Sequence, residues 1–291
     1  MTGAMFTDHF FTNADGLRIH YRDYPAQGTE TGVPVLCLHG LTRNVKDFED
    51  LAPKIAAKGR RVIVASQRGR GRSDPDPQVE RYQPPVYAAD MLGLLDTLGI
   101  ARAVFVGTSM GGLMTFVVAG IQPQRIAAAV INDVGPVVSK EGLDRIKLNT
   151  SSRDPAASWD EAAARTRDSN LAAFPARADD EAFWLDFAKK TWIDGENGAV
   201  VLDYDGAILS MLGGDDGPLP ELWEFWEPFR TIPALVVRGG ISDLLSPETV
   251  AEMRRRKPDL GVVEVPDVGH APFMTEPEAW AEISTFLDRV D

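Results

Sequence analysis

Apolar residues fill consecutive positions, rather than alternate ones, in several short runs of this chain: "VPVLCLHG" (33–40), "RVIVAS" (61–66), "AVFVGTS" (103–109), "IAAAVIND" (126–133) and "IPALVVRGG" (232–240). A strand apolar on both sides is one covered by helices on both faces, the situation of a parallel sheet. "LRIHY" (17–21) and "GVVEVPDVGH" (261–270) add two further β-rich runs. Between them the pattern takes on a period of about 3.6. In "VYAADMLGLLDTLGI" (86–100), Met91, Leu94, Leu95 and Leu98 recur at helical spacing, and "SPETVAEMRRRK" (246–257) and "EPEAWAEISTFLDRV" (276–290) read the same way. Strands alternating with helices predict βαβ units and an α/β fold.

From about 137 to 230 the strand signals stop. Amphipathic, aromatic-bearing segments take their place, among them "DDEAFWLDFAKKTW" (179–192), whose acidic start suits a helix N-terminus and whose Phe183, Phe187 and Thr191 share a stripe. The pattern predicts a core domain made of residues 1–136 and 231–291, interrupted by an all-helical insertion over 137–230. No internal repeat or low-complexity segment is evident.

Composition narrows the partners. Thirty Lys and Arg against 43 Asp and Glu leave a net charge of −13, which repels phosphate backbones and anionic lipid, so neither nucleic acid nor membrane is an expected partner. The first residues carry no basic and apolar leader pattern, and no run approaches a membrane span, so a cytoplasmic protein is expected. Cys37 stands alone in an apolar run and reads as a buried structural thiol. No metal or cofactor is implied.

The chemistry is concentrated in "VGTSMGGLM" (106–114). Gly107, Ser109 and Gly111 fit G-x-S-x-G, and the buried-strand pattern before Ser109 with the helical pattern after it supplies the strand, turn, helix setting that this motif needs. Glycines permit the sharp bend, and the bend exposes the hydroxyl. A serine nucleophile requires a base and an acid that orients it. Of four histidines, His9 and His20 fall in or near strand-like segments and His39 ends one, where it reads as holding its loop. His270, in the "VGH" loop after the last strand, is the candidate base. For the acid, Asp243 in "GGISDLLSP" is the leading candidate, with Asp133 in "INDVGP" as competitor. The oxyanion hole is expected from the backbone N–H of Met110 and of Leu41 in "LHGLT" (38–42). The arginines of "RGRGRSDPDP" (68–77) read as parts of a Gly-rich turn rather than a phosphate site.

Taken together, "LHG", "RGRGRSD", "GTSMGG", "SDLLSP" and "VGHAPFMTEPE" resemble the α/β-hydrolase superfamily, in particular its capped branch of esterases, lactonases and ring-cleavage-product hydrolases. The resemblance spans nearly the whole chain, the insertion least. It implies an eight-stranded, mostly parallel sheet flanked by helices, a helical cap between strands six and seven, and a triad of Ser109, Asp243 and His270. Ser66 stands where an aspartate often precedes the Arg-Gly pair, and "HGLT" replaces HGxP or HGxG; with serine at position 109, both departures argue against epoxide hydrolases and dehalogenases.

The expected activity is hydrolysis of a small to medium ester or lactone through an acyl-enzyme, on a small-molecule substrate. Carbon-carbon cleavage of a ring-cleavage diketone uses the same residues and is the alternative; a ligand receptor on the same fold is a third reading. The insertion's aromatics, including Phe174, Phe183, Trp184, Phe187, Trp192, Trp223 and Trp226, suggest an apolar pocket, one or two of these seven touching substrate. Oligomeric state is not encoded in any of these features.

Overall fold

Every position of β3 (Val35–Leu38) and β4 (Val62–Ala65) is buried, as the unbroken apolar runs predict. The computed structural model describes residues 5–213 and 220–291; the reading of the chain's first residues and of 214–219 within the insertion lies outside them. An eight-stranded sheet runs in the order β1-β2-β4-β3-β5-β6-β9-β10. It comprises β1 (Thr7–Thr12), β2 (Arg18–Tyr24), β3, β4, β5 (Ala103–Thr108), β6 (Ile126–Asn132), β9 (Ala234–Gly239) and β10 (Gly261–Val265). β1 pairs antiparallel with β2, and β2 with β4; every other neighbouring pair is parallel.

Alternation along each strand divides the core in two. Leu36, Leu38, Ile63 and Ala65 face one layer. Val35, Cys37, Val62 and Val64 face the other. The second layer is closed by α1 (Leu51–Ala56) and by α9 (Pro277–Leu287) at the end of the chain. The first is closed by α2 (Pro84–Thr97), α3 (Met110–Ile121) and α8 (Pro247–Arg256), through side chains such as Met91, Leu94, Phe116 and Met253. Cys37 is fully buried, and burial pushes its thiol pKa well up, in keeping with a structural role.

The chain leaves the sheet after β6 and returns at β9, its sixth and seventh strands in chain order. Between them lie α4 (Lys140–Asn149), α5 (Trp159–Asn170), α6 (Glu181–Thr191) and α7 (Trp223–Trp226). The insertion is not all helical: β7 (Trp192–Asp194) and β8 (Val200–Leu202) form an antiparallel hairpin. Strands of three residues are too short for any periodicity to show, which is why the sequence pattern misses them. The hairpin is wedged against the core of the insertion, with Trp192 and Val200 packed on Ala156, Ala162 and Ala188.

Two sets of contacts bind this insertion to the rest of the structure. On one side Gly71 N–H donates to the Asp203 carbonyl at 2.9 Å and Asp205 N–H to the Gly69 carbonyl at 2.7 Å, while the Asp203 carboxylate accepts from Asn44 at 2.9 Å and pairs with Lys46 at 3.0 Å. On the other, α4 lies so close to the loop after β9 that a Cβ added at Gly142 would sit 2.7 Å from the Asp243 carbonyl oxygen. Glycine is needed there for that approach.

Candidate active site

Ser109 sits between the last residue of β5 and the first of α3 with φ 52 and ψ −114, a left-handed conformation that costs a non-glycine residue energy. Packing holds it. A Cβ at Gly111 would lie 2.1 Å from the Leu38 carbonyl oxygen, and one at Gly107 2.5 Å from the Gly111 backbone, so only glycines allow the first turn of α3 to press onto β3 and β5. The Ser109 N–H donates to the Asn132 carbonyl at 2.9 Å, bringing the ends of β5 and β6 side by side.

His270 follows β10 on its loop and reaches back over the strand ends. Its Nε2 is 2.9 Å from Ser109 Oγ, and its Nδ1 is 2.8 Å from Asp133 Oδ2. The carboxylate can only accept, so Nδ1 carries the proton and Nε2 is free to accept from the serine hydroxyl. Asp133 is fully buried and the His270 side chain only 8% exposed. Asp133 takes two more hydrogen bonds, from Gly239 N–H at 2.8 Å and from the Ser242 hydroxyl at 2.6 Å. Its φ of 56 lies in the left-handed region that aspartate tolerates better than most residues.

The carboxylate on the imidazole is therefore Asp133, and the expectation of Asp243 is corrected. Asp243 is held by Arg145 of α4, whose guanidinium grips both its oxygens, one through Nη2 at 2.8 Å and the other through Nε. The cause is the docking of α4: Gly142 and Arg145 are three residues apart on one helical face, so the close approach at Gly142 delivers Arg145 to the Asp243 carboxylate. Burial alone would raise the Asp243 pKa, but the hydrogen bonds and charge of Arg145, with a further contribution from the nearby His270, outweigh it and hold the group below the usual carboxylate range. The loop of Asp243 still serves the site, because its neighbour Ser242 is a donor to Asp133.

The "LHGLT" loop passes beside the nucleophile; a Cβ at Gly40 would be 3.9 Å from Ser109 Cβ. The Gly40 carbonyl is occupied by His39 Nδ1 at 2.7 Å and by Arg43 N–H at 3.3 Å. In a planar trans peptide the Leu41 N–H points the opposite way from that carbonyl. Met110 is the first residue of α3, where N–H groups have no partner within the helix. His39 is fully enclosed, accepts at Nε2 from Gln67 N–H at 3.2 Å, and is held by burial at a pKa of about 3. It is a neutral strut of the loop. His9 and His20 are remote from the site, hydrogen-bonded to Thr7 and Asp8. Ser66, at the departure from the usual motif, accepts from Val45 N–H at 3.1 Å.

A cavity of about 570 Å³ opens over Ser109 and His270, walled by the Gly40–Arg43 stretch, by α4 and α5, and by the loop after His270. Of the seven aromatic residues named from the insertion's sequence, Phe174, Phe187 and Trp192 line it, and the insertion's Tyr204 lines it as well. Trp226 instead packs with Phe229 and Phe116 beneath the cap, and Phe183 and Trp184 pack around Phe174. The wall is mixed: Thr42, Asn149, Thr150, Ser169, Asn170 and Thr191 present hydroxyl and amide groups. Among the described residues no cluster of His, Cys, Asp and Glu could hold a metal ion, and no helix is long and apolar enough to cross a membrane.

A family model for the alpha/beta hydrolase fold matches residues 33–277. The chain is 33% identical over 265 residues to a 3-hydroxybutyrate-oligomer hydrolase of Cupriavidus necator, covering 89% of this chain and 90% of that one. It is 29% identical over 294 residues to a 2-(acetamidomethylene)succinate hydrolase of Mesorhizobium japonicum, covering 99% of each. The crystal structure of an alpha/beta hydrolase from Novosphingobium aromaticivorans superposes with a TM-score of 0.90 at 41% identity over 99% of both chains. With a sheet, a cap and a serine elbow of this form, and a family match over most of its length, the chain belongs to the α/β hydrolase family and is a hydrolase.

Proposed function

We propose that the protein hydrolyses carboxylic esters or lactones through an acyl-enzyme on Ser109. The observation that carries this is the hydrogen-bonded chain from Ser109 Oγ through His270 to the enclosed carboxylate of Asp133. His270 Nε2 takes the hydroxyl proton as Oγ attacks the acyl carbon, and the negative charge that moves onto the acyl oxygen is met by the N–H groups of Leu41 and Met110. Collapse expels the alcohol, which leaves with the proton from Nε2. Water then attacks the acyl carbon while His270 takes its proton, and the acid departs with Ser109 restored. Asp133 holds the imidazole in the tautomer that accepts at Nε2 and stabilises it when protonated.

The mixed wall of the cavity, where hydroxyl, amide and charged groups stand among aromatic side chains such as Phe174, Phe187, Trp192 and Tyr204, suits short esters with polar substituents. A relative named for 3-hydroxybutyrate oligomers, whose repeat is a short hydroxy-acid ester, supports the same class. The test is a panel of p-nitrophenyl butyrate, 3-hydroxybutyrate dimer, a lactone, an amide and a ring-cleavage diketone, assayed on the wild type and on Ser109→Ala. Ester turnover that vanishes in the variant, with a mass shift of one acyl group on Ser109 after rapid quench, is the expected result. Undiminished hydrolysis by Ser109→Ala overturns the assignment; preference for the diketone moves the reaction to carbon-carbon cleavage, and a single slow turnover to a receptor.

A further inference from the structure

Arg70 is among the largest fully enclosed side chains of the protein, and none of its hydrogen bonds goes to a carboxylate. Its Nε–H donates to the Leu41 carbonyl at 3.0 Å and one terminal nitrogen to the Arg68 carbonyl at 2.8 Å; the other faces the Met110 sulfur at 3.6 Å. The rings of Tyr87 and Tyr82 lie 4.6 and 5.8 Å from its central carbon. Two residues earlier the contrast is sharp. Arg68, equally enclosed, is ringed by Asp15, Asp76 and Asp90.

A buried cation without a carboxylate is costly to keep. Burial accordingly lowers the Arg70 pKa, an effect that Tyr87, Tyr82 and Asp205 oppose, yet an arginine remains charged throughout the working range. Its backbone is clamped as well, since the residues on either side of it, Gly69 and Gly71, are the ones bonded to Asp205 and Asp203 of the cap. Its side chain touches two residues of particular interest, Leu41 and Met110, whose N–H groups form the oxyanion hole of the reaction above.

We propose that Arg70 is a positioning residue for hydrolysis, which fixes the Leu41 carbonyl and the Met110 side chain behind the oxyanion hole and lends the oxyanion, as it forms, the positive charge of a guanidinium bonded to no carboxylate. The proposal rests on Ser109 being the nucleophile and on Leu41 and Met110 being the donors. In a water-poor site such a charge acts far more strongly than in solvent. The acyl oxygen is neutral in bound substrate and anionic in the tetrahedral intermediate, so the charge favours the second over the first. Its loss therefore appears in kcat and not in KM.

The test compares Arg70→Met, Arg70→Gln and Arg70→Lys, with active sites counted by a fluorophosphonate and folding checked by thermal melts. Expected are a fall in kcat of roughly ten- to a hundredfold in the two neutral variants, KM within about threefold, and recovery of most of the loss by lysine. A trifluoromethyl ketone matched to the substrate, which forms an anionic adduct on the serine, weakens by the same factor as kcat/KM, while the corresponding methyl ketone binds unchanged. A structural role alone would not separate the two ketones. A folded neutral variant with wild-type kcat overturns the proposal, as does equal weakening of both ketones. Failure of both neutral variants to fold assigns Arg70 to stability and overturns it too. If Ser109→Ala remains active, the nucleophile reading falls first, whatever Arg70 does; an inactive Ser109→Ala beside unaltered Arg70 variants sinks only the proposal about Arg70.

Discussion

Replacing Asp133 by asparagine changes one atom in a fully buried group that accepts three hydrogen bonds, and each of them constrains the result. Gly239 N–H can only donate, and it points at Oδ1 at 2.8 Å. The asparagine oxygen is thereby held at that position, leaving the amide NH2 where Oδ2 met Ser242 and His270. Ser242 can rotate its hydroxyl to accept, but His270 can accept only by giving up its proton at Nδ1. The ring then carries hydrogen at Nε2 and cannot take the Ser109 proton. Flipping the amide restores the useful tautomer but sets NH2 against Gly239 N–H, at a cost of about 1–3 kcal/mol. The charge that stabilises the imidazolium is lost in either orientation, about 4 kcal/mol for charges some 4 Å apart at an effective dielectric constant near 20. The sum, about 5–7 kcal/mol, corresponds to a kcat lower by roughly 10⁴-fold or somewhat more. Steady-state hydrolysis of p-nitrophenyl butyrate measures it, with melting temperatures alongside. Asp243→Asn is the control: it loosens a partly exposed pair with Arg145 worth about 1 kcal/mol or less, and a kcat within severalfold of wild type is expected. A larger loss from Asp243→Asn than from Asp133→Asn would refute the reasoning.

Two further outcomes follow from packing and burial. Gly111→Ala places a Cβ 2.1 Å from the Leu38 carbonyl oxygen, a backbone atom in a central strand that cannot swing away, so destabilisation of about 3 kcal/mol or more is expected in urea titrations, and activity falls with the folded fraction. A variant as stable as wild type would mean that the elbow is looser than its contacts indicate. His39, neutral when folded and held at a pKa of about 3, takes up a proton in the unfolded chain below about pH 6.5. Its contribution is complete above that value and is lost as pH falls towards 3, with a slope approaching about 1.4 kcal/mol per pH unit. Urea midpoints at pH 7, 6 and 5 measure the slope, and His39→Gln removes one proton's worth of it; an unchanged slope in that variant contradicts the neutral strut.

The sheet could be read from the chain because its central strands are enclosed on both sides. β3, β4, β5, β6 and β9 leave unbroken apolar runs for that reason. β1 is an edge strand in which only Phe11 is buried, so its residues carry no such run and its pairing with β2 is invisible in composition. The cap hairpin is hidden differently. Its strands have three residues each, and their partners lie across a turn in which Asn197 takes a left-handed conformation.

At the site, what the sequence conveys is whatever is local to the serine turn. Ser109, Gly107 and Gly111 stand in one motif because one bend needs them together, and His270 stands out because few histidines compete with it. The acid differs, since two aspartates lie in the loops that follow the neighbouring strands β6 and β9, and the sequence offers either one to the imidazole. What separates them is Arg145, a cationic side chain on the first cap helix that neutralises Asp243, and the pair of donors, Gly239 and Ser242, that converge on Asp133. Those three partners lie 98, 106 and 109 residues away from the carboxylates they hold, so no local pattern announces the choice. A carboxylate that already has a bidentate arginine has little reason to turn towards an imidazole, whereas one supplied with two neutral donors keeps its full charge for the third. In the mechanism proposed above, the insertion therefore acts through electrostatics as well as shape, because Arg145 occupies Asp243 while the histidine bonds Asp133.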